Sequence, residues 1–422
     1  MHRIARIVLA PALLLAGATV AGAQEGPRCP GDNGGLTLPP GFCATVFADS
    51  LPGPRQLVVT PANEVVVALL GRRNGAPGGV MVLRDADHDG RADARDQLAT
   101  GFRSAAVAIA HGALYAENGT AILRFPLAKG AVALAGPADT IVRDLPGGGH
   151  PYKTFALDSA GGLYVNVGSR TNSCQERDRQ KESRGVDPCV ERDTRAGVWR
   201  FDARRAGQGQ GDGVHFATGI RNAVGITWNP RDRSLWVTQH GRDQLSQNWP
   251  ALFSDSVSAE TPAEELFRVQ RGDDFGWPYC YFDRALGKKV LAPEYGGDGR
   301  VVGRCAKAKG HVASFPGHWA PNALLFHSGR GLPAKYHDGV FIAFHGSWNR
   351  APLPQQGANV VFQPLRGGRA DGAYELLATG FARAMQPSVQ GHRPTGLAEG
   401  PDGALYVSDD ALGRIWRITW TR

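Results

Sequence analysis

A short unit recurs along the chain and restricts the fold more than any other feature: a small or turn residue, an alternating apolar strand, a P-x-G or D-x-G type turn, and a second apolar strand. Clear copies are 56–68 (QLVVTPANEVVVA), 155–166 (FALDSAGGLYVN), 225–238 (GITWNPRDRSLWVT) and 396–408 (GLAEGPDGALYVS). Weaker ones are 106–115 (AVAIAHGALY) and 323–326 (ALLF), which resumes at 339–343 (GVFIA). Each copy reads as a β-hairpin, and a lone hairpin cannot bury both of its faces. Such units must therefore stack, radially or in a line. The six copies are irregularly spaced, which suits loop-bearing blades better than a strict solenoid. The expected fold is all-β: a six-bladed β-propeller of four-stranded antiparallel blades, forming one domain over 24–422. A seven-bladed ring is the alternative, because 221–321 is long enough to hide a further blade.

The first 23 residues read as a secretory signal peptide. Arg3 and Arg6 precede an apolar run over 7–20, and Ala21-Gly22-Ala23 has the small-x-small form of a cleavage site. The run is too short to cross roughly 30 Å of hydrocarbon. The expected product is periplasmic or secreted, with no membrane span. The 422-residue chain carries a net charge of +8. Its basic residues are dispersed and no nucleic-acid motif occurs, so no nucleic-acid partner is expected. Six cysteines in an exported chain suggest structural disulfides. Fifteen pairings are possible; the simplest is local, Cys29–Cys43, Cys174–Cys189 and Cys280–Cys305.

A propeller gathers one end of every inner strand around a channel, so residues at hairpin junctions meet in space. His150 and Pro151, behind three glycines, lead into the third hairpin. Arg221-Asn222 leads into the fourth, Arg350 follows the second strand of the fifth, and Arg393 leads into the sixth. Histidine titrates in the range a general base needs, and the arginine fork matches a carboxylate. On pattern alone, His150 is equally a capped turn residue and the arginines equally inter-blade salt bridges. Separately, 85–96 (DADHDGRADARD) sets Asp85, Asp87 and Asp89 at positions 1, 3 and 5 of a calcium-loop pattern. Gly90 stands at position 6, and Asp96 stands at position 12 in place of the usual glutamate. No long helices flank it, so a structural clip is expected.

The ordered strings HPYK (150–153), LYVNVGS (163–169), GIRN (219–222), DFGWP (274–278), HGSWNR (345–350), RP (393–394) and GPDGALYVSD (400–409) resemble the L-sorbosone dehydrogenase branch of the soluble quinoprotein sugar dehydrogenases. The likeness runs from about Leu38 to Thr421. It implies a sugar dehydrogenase that carries pyrroloquinoline quinone (PQQ) and Ca²⁺, with His150 as the catalytic base. It also implies cofactor-binding roles for Arg221, Asn222 and Arg350, with Trp277 at the substrate mouth. Gly241 and Arg242 stand where the family offers backbone carbonyls to calcium, and Asp243 is a further candidate ligand. The implied partners are a sugar and an electron acceptor such as a periplasmic cytochrome or quinone. Two departures are visible. GSRTNSC (168–174) replaces an acid and a glutamine of the glucose dehydrogenases, and Arg330 is the nearest substitute for their cofactor lysine. These put glucose specificity in doubt.

Two rival readings use the same fold. A calcium-dependent lactonase or esterase would recruit Asp409, Asp410 and Asn222. A non-catalytic propeller would bind carbohydrate without turnover.

Overall fold

The computed structural model describes residues 31–72 and 75–421, so the leader peptide and Cys29 lie outside the described residues. Six antiparallel sheets follow one another along the chain. Blade 1 spans residues 54–100, blade 2 107–142, blade 3 155–218, blade 4 226–315 and blade 5 321–378. Blade 6 takes three strands from 394–420 and its outermost strand, Phe42–Ala48, from the other end of the chain. Phe42 faces Trp420 and Ala44 faces Ile418, so the first and last strands together close the ring.

The second strand of each blade explains the apolar runs. Sheets stack face to face about 10 Å apart, so a middle strand is covered on both sides and every position must be apolar or satisfied. Val65–Leu69 is buried throughout, and so are Gly162–Val167 and Gly339–Phe344. The outer strand Ala94–Thr100 has no such cover and reads as polar and exposed. Each buried valine of the 65–67 run contributes roughly 1.5–3 kcal/mol by leaving water.

The interval 221–321 hides no seventh blade. Its extra length goes into a segment over 270–312 that adds a fifth strand, Asp273–Asp274, to blade 3 and forms a separate hairpin, Cys280–Asp283 with Lys288–Leu291. Two of the expected disulfides, Cys174–Cys189 and Cys280–Cys305, are formed. Cys43 is also disulfide-bonded, and its expected partner Cys29 lies outside the described residues.

Polar side chains stitch neighbouring blades where the inner strands begin. Thr154 Oγ1 donates to Ala223 O (3.0 Å) and Thr238 Oγ1 to Pro321 O (3.1 Å). Asn166 accepts from Ala223 N (3.1 Å) and donates to Tyr152 O (3.2 Å). Gln56 crosses the axis, donating to Val224 O (3.2 Å) and Asn322 O (3.4 Å) on the opposite blades. A channel cavity of about 380 Å³ is lined by residues of all six inner strands. The end where inner strands start is called the upper end below, and the end where they finish the lower end.

Candidate active site

His150 sits on the upper loop between blades 2 and 3. Gly149 has φ +60°, and a Cβ there would lie 2.4 Å from Arg170 Cα. A Cβ on Gly168 would lie 2.7 Å from His150 Cβ. The two glycines thus let this loop press against 168–170. His150 N donates to Ser169 O (3.0 Å), and Nδ1 lies 2.8 Å from the same oxygen. Nδ1 is also 3.0 Å from Ser169 Oγ, which gives its own proton to Thr171 O (2.7 Å). With acceptors on that side, Nδ1 carries the proton and Nε2 keeps its lone pair. Burial, and then the charge of Arg221, push the imidazole pKa down to about 3. His150 is therefore neutral at neutral pH.

Arg221 lies under this histidine. Ser169 N donates to Arg221 O (2.7 Å). Every arm of the buried guanidinium is engaged: Nε with Asn172 O (3.2 Å), Nη1 with Gly241 O (2.8 Å), Nη2 with Asn172 Oδ1 (3.0 Å) and Asp243 Oδ2 (2.7 Å). Asp243 also receives Arg179 (3.0 Å) and Asn349 Nδ2 (2.8 Å). Burial alone would raise its pKa; Arg221, His318 and Arg179 override that and hold it far below the usual carboxylate range. Beside it Glu264 accepts from Gly241 N (2.9 Å) and Ala320 N (3.0 Å). Burial pushes Glu264 up to about 7, with Asp243 adding repulsion. His240 is pushed down to about 4 by burial, with Arg221 adding to the effect.

A second group of charges stands across the mouth. Asp410 pairs with Arg55 Nη1 (2.6 Å) and with His345 Nε2 (2.8 Å). Arg55 lies over the Tyr152 ring at 4.6 Å. Arg393 donates through Nε to His345 O (3.1 Å) and through Nη2 to Gly346 O. His345 interacts electrostatically with His240, and Arg393 with Arg55 and Asp410, so the two groups form one chain of charges at the upper end.

Several expectations need correction. Arg350 is at the upper end, but its guanidinium is spent on Pro354 O (3.0 Å), Ala259 O (2.5 Å) and Glu260 (2.6 Å), which makes it a loop tie. Arg330 lies in the lower turn over 326–338 and donates to Pro401 O (2.6 Å), a full blade away from His150. Trp277 is 4% exposed; it donates to Asn172 O (3.0 Å) and packs with both described disulfides, so it supports Arg221 from beneath instead of lining a mouth. The Asn222 side chain is buried against Asn166 (3.3 Å). The Gly241 carbonyl, expected to face a cation, is occupied by Arg221. The Arg242 guanidinium is held by Glu294 (2.5 Å), apart from the backbone carbonyl that was the expected ligand, and Asp243 is saturated by cations and an amide. Two of the three expected ligands, the Gly241 carbonyl and Asp243, are thus engaged by protein groups. Asp85, Asp87 and Asp89 converge, but at the lower end, and Asp96 turns away to pair with Arg84. Asp409 is used up by His392 (2.7 Å), Arg393 N (2.6 Å) and three amides over 411–413, which removes a ligand from the lactonase reading.

Sequence reading missed Asn172, fully buried and bonded to both Arg221 and Asp243 (Asp243 N to Oδ1, 2.8 Å). It carries no local signal. Arg55 was within reach: it stands at the start of the first hairpin, the junction that marked Arg393.

A family model described as TrAA12-like matches residues 36–421. An uncharacterized protein of Borreliella burgdorferi is 26% identical over 207 residues, 49% of this chain; the chain thus matches about half (48%) of that curated relative's length. The calcium structure of the Trichoderma reesei carbohydrate-active enzyme of family AA12 superposes with TM-score 0.75 and 18% identity, covering 92% of this chain and 97% of that one. The holo PQQ domain of pyranose dehydrogenase from Coprinopsis cinerea gives 0.73 and 21%, covering 94% and 98%. At these identities the structural likeness is one of fold.

Proposed function

The chain belongs to the TrAA12-like family, and on that premise we propose that it is an exported PQQ-dependent sugar oxidoreductase acting on an aldose or a sorbosone-like aldehyde. The observation that carries this reading is His150: its Nδ1 is tied to Ser169 O at 2.8 Å, and burial beside Arg221 keeps the ring neutral. Its Nε2, without a hydrogen-bond partner among the described residues, is then a proton acceptor at the upper end.

The donor set suits an anionic, multi-carboxylate cofactor. Arg393 keeps Nη1 without a protein partner among the described residues, and buried Arg55 Nε also lacks one. Arg393 and Arg55 are the residues that would hold PQQ. When bound, the quinone supplies the hydride acceptor. His150 Nε2 takes the proton that the sugar's anomeric hydroxyl gives up, and Ser169 fixes the ring for that transfer. Arg221, saturated by Asn172, Gly241 and Asp243, discourages protonation of His150 in advance and holds the loop under it. No metal enters this account. Electrons would leave to an acceptor such as a periplasmic cytochrome or quinone, replaced by a dye in the assay.

The test is to add PQQ to the purified protein, record its absorbance, and measure dye reduction across a panel of aldoses and aldehyde sugars. His150→Ala should bind PQQ as the wild type does and lose at least about 100-fold in turnover, the scale of a positioned base. Unchanged turnover removes His150 from the role. Absence of both cofactor absorbance and dye reduction in the wild type ends the whole reading.

A further inference from the structure

The loop over 85–93 joins the third and fourth strands of blade 1 at the lower end, and the active-site reading makes no use of it. Asp85, Asp87 and Asp89 each bring a carboxylate oxygen to within 4.8 Å of the others. Among the described residues none of the three has an ion-pair partner closer than 4 Å. Their hydrogen bonds come from backbone amides: Gly90 N to Asp85 Oδ2 (3.0 Å), Asp89 N to Asp87 Oδ1 (3.2 Å), Arg91 N to Asp89 Oδ1 (2.8 Å).

Asp85 adds an independent observation. It is only 7% exposed, and its Oδ1 is buried with no hydrogen-bond partner at all. A buried anionic oxygen without a donor is costly. Two further carboxylates within 4.8 Å make it worse. What this arrangement lacks is a cation, and an all-oxygen, multi-carboxylate set is the donor chemistry of calcium.

We propose that Asp85, Asp87 and Asp89 bind a calcium ion that fastens the ring closed. The second half of this statement follows from where the loop lies. Ala92 N donates to Phe47 O (2.8 Å), and Thr45 Oγ1 donates to Gly90 O (3.3 Å). Thr45 and Phe47 belong to Phe42–Ala48, the strand that completes blade 6. Ala92 packs into the same apolar cluster as Phe47, Tyr406 and Leu57, which come from both sides of the seam. An ion that orders 85–93 therefore stabilises the junction between the first and last blades. The ligand set ends at Asp89, because Asp93 caps Ala86 N (2.7 Å) and Asp96 is paired with Arg84.

The experiment uses the full chain, stripped with EGTA and titrated with CaCl2 in the absence of PQQ. Thermal unfolding of the wild type should rise by about 3 °C at a hundredfold excess over Kd, for a domain of this size. The double variant Asp87→Asn/Asp89→Asn should bind one calcium fewer per chain by equilibrium dialysis and lose the rise. In EGTA it should unfold no earlier than the wild type, since the like-charge repulsion is gone. Asp96→Asn should keep the wild-type calcium count. Should the double variant fail to fold, limited proteolysis of the wild type decides: CaCl2 should slow cleavage within 85–93. Equal calcium counts in wild type and double variant, or a wild type whose unfolding and proteolysis ignore CaCl2, overturn the proposal. The loop is at the far end of the blade from His150, so either result leaves the enzymatic reading untouched.

Discussion

The two ends of the ring use the same residue types for different ends. At the upper end the long connections and the 270–312 segment bury charges: Arg221 with Asp243, Arg242 with Glu294 and Lys289 with Glu265 are all largely hidden from solvent. At the lower end the turns are shorter and their ion pairs stay wet, as in Arg231 with Asp338 and Lys335 with Glu375. A buried arginine must have every donor answered, so its neighbours become fixed; an exposed one imposes nothing on its surroundings. The contrast teaches that position along the axis decides whether an arginine organises a site, more than its local motif does. Arg221 and Arg330 are the clearest pair.

The strongest way to break this contrast is Arg221→Met. Removing one partner leaves Asp243 buried with less compensation, and denaturant unfolding should show a loss of about 3–5 kcal/mol. A loss below about 1 kcal/mol would mean that the upper network is not organised around Arg221.

Acid sharpens the comparison next. His150 and His240 have folded pKa values near 3 and 4, below the unfolded value of about 6.5. Between those limits these two histidines bind more protons in the unfolded chain, so the stability they contribute is full above about pH 6.5 and falls as pH drops toward 4. His150→Asn should reduce the slope of unfolding free energy against pH by up to one proton in that window. An unchanged slope would mean that His150 titrates normally.

Gln56→Ala tests the boundary between the ends. Losing its bonds to Val224 O and Asn322 O should cost about 1 kcal/mol. The smallest effect belongs to Arg330→Met, within about 0.5 kcal/mol of wild type and neutral for turnover. Loss of PQQ binding in that variant would reinstate Arg330 as a cofactor residue.

Much of the ring was legible because a hairpin is a local event. The strings at 56–68, 155–166 and 396–408 each contain both strands and the turn between them, so counting them counted the blades. The ends of the inner strands were legible for the same reason, and they brought His150, Arg221 and Arg393 to one rim. What stayed hidden depended on distant partners. Nothing near Arg350 announces Ala259 O or Glu260, and nothing near Trp277 announces Asn172. Arg330 was offered only as the nearest substitute for a family lysine, and nothing in its local sequence tells that it lies in a lower turn beside Pro401. The 270–312 segment looked like room for a blade, yet its residues serve blade 3 and a disulfide-laced cap.

The pairing of Phe42–Ala48 with Arg414–Trp420 also has a mechanical side. Because the two strands are antiparallel and Phe42 lies opposite Trp420, a pull applied at those two residues loads one rung at a time. The seam would peel like a zipper at low force, whereas each interior blade, loaded along its strands, would have to give way all at once.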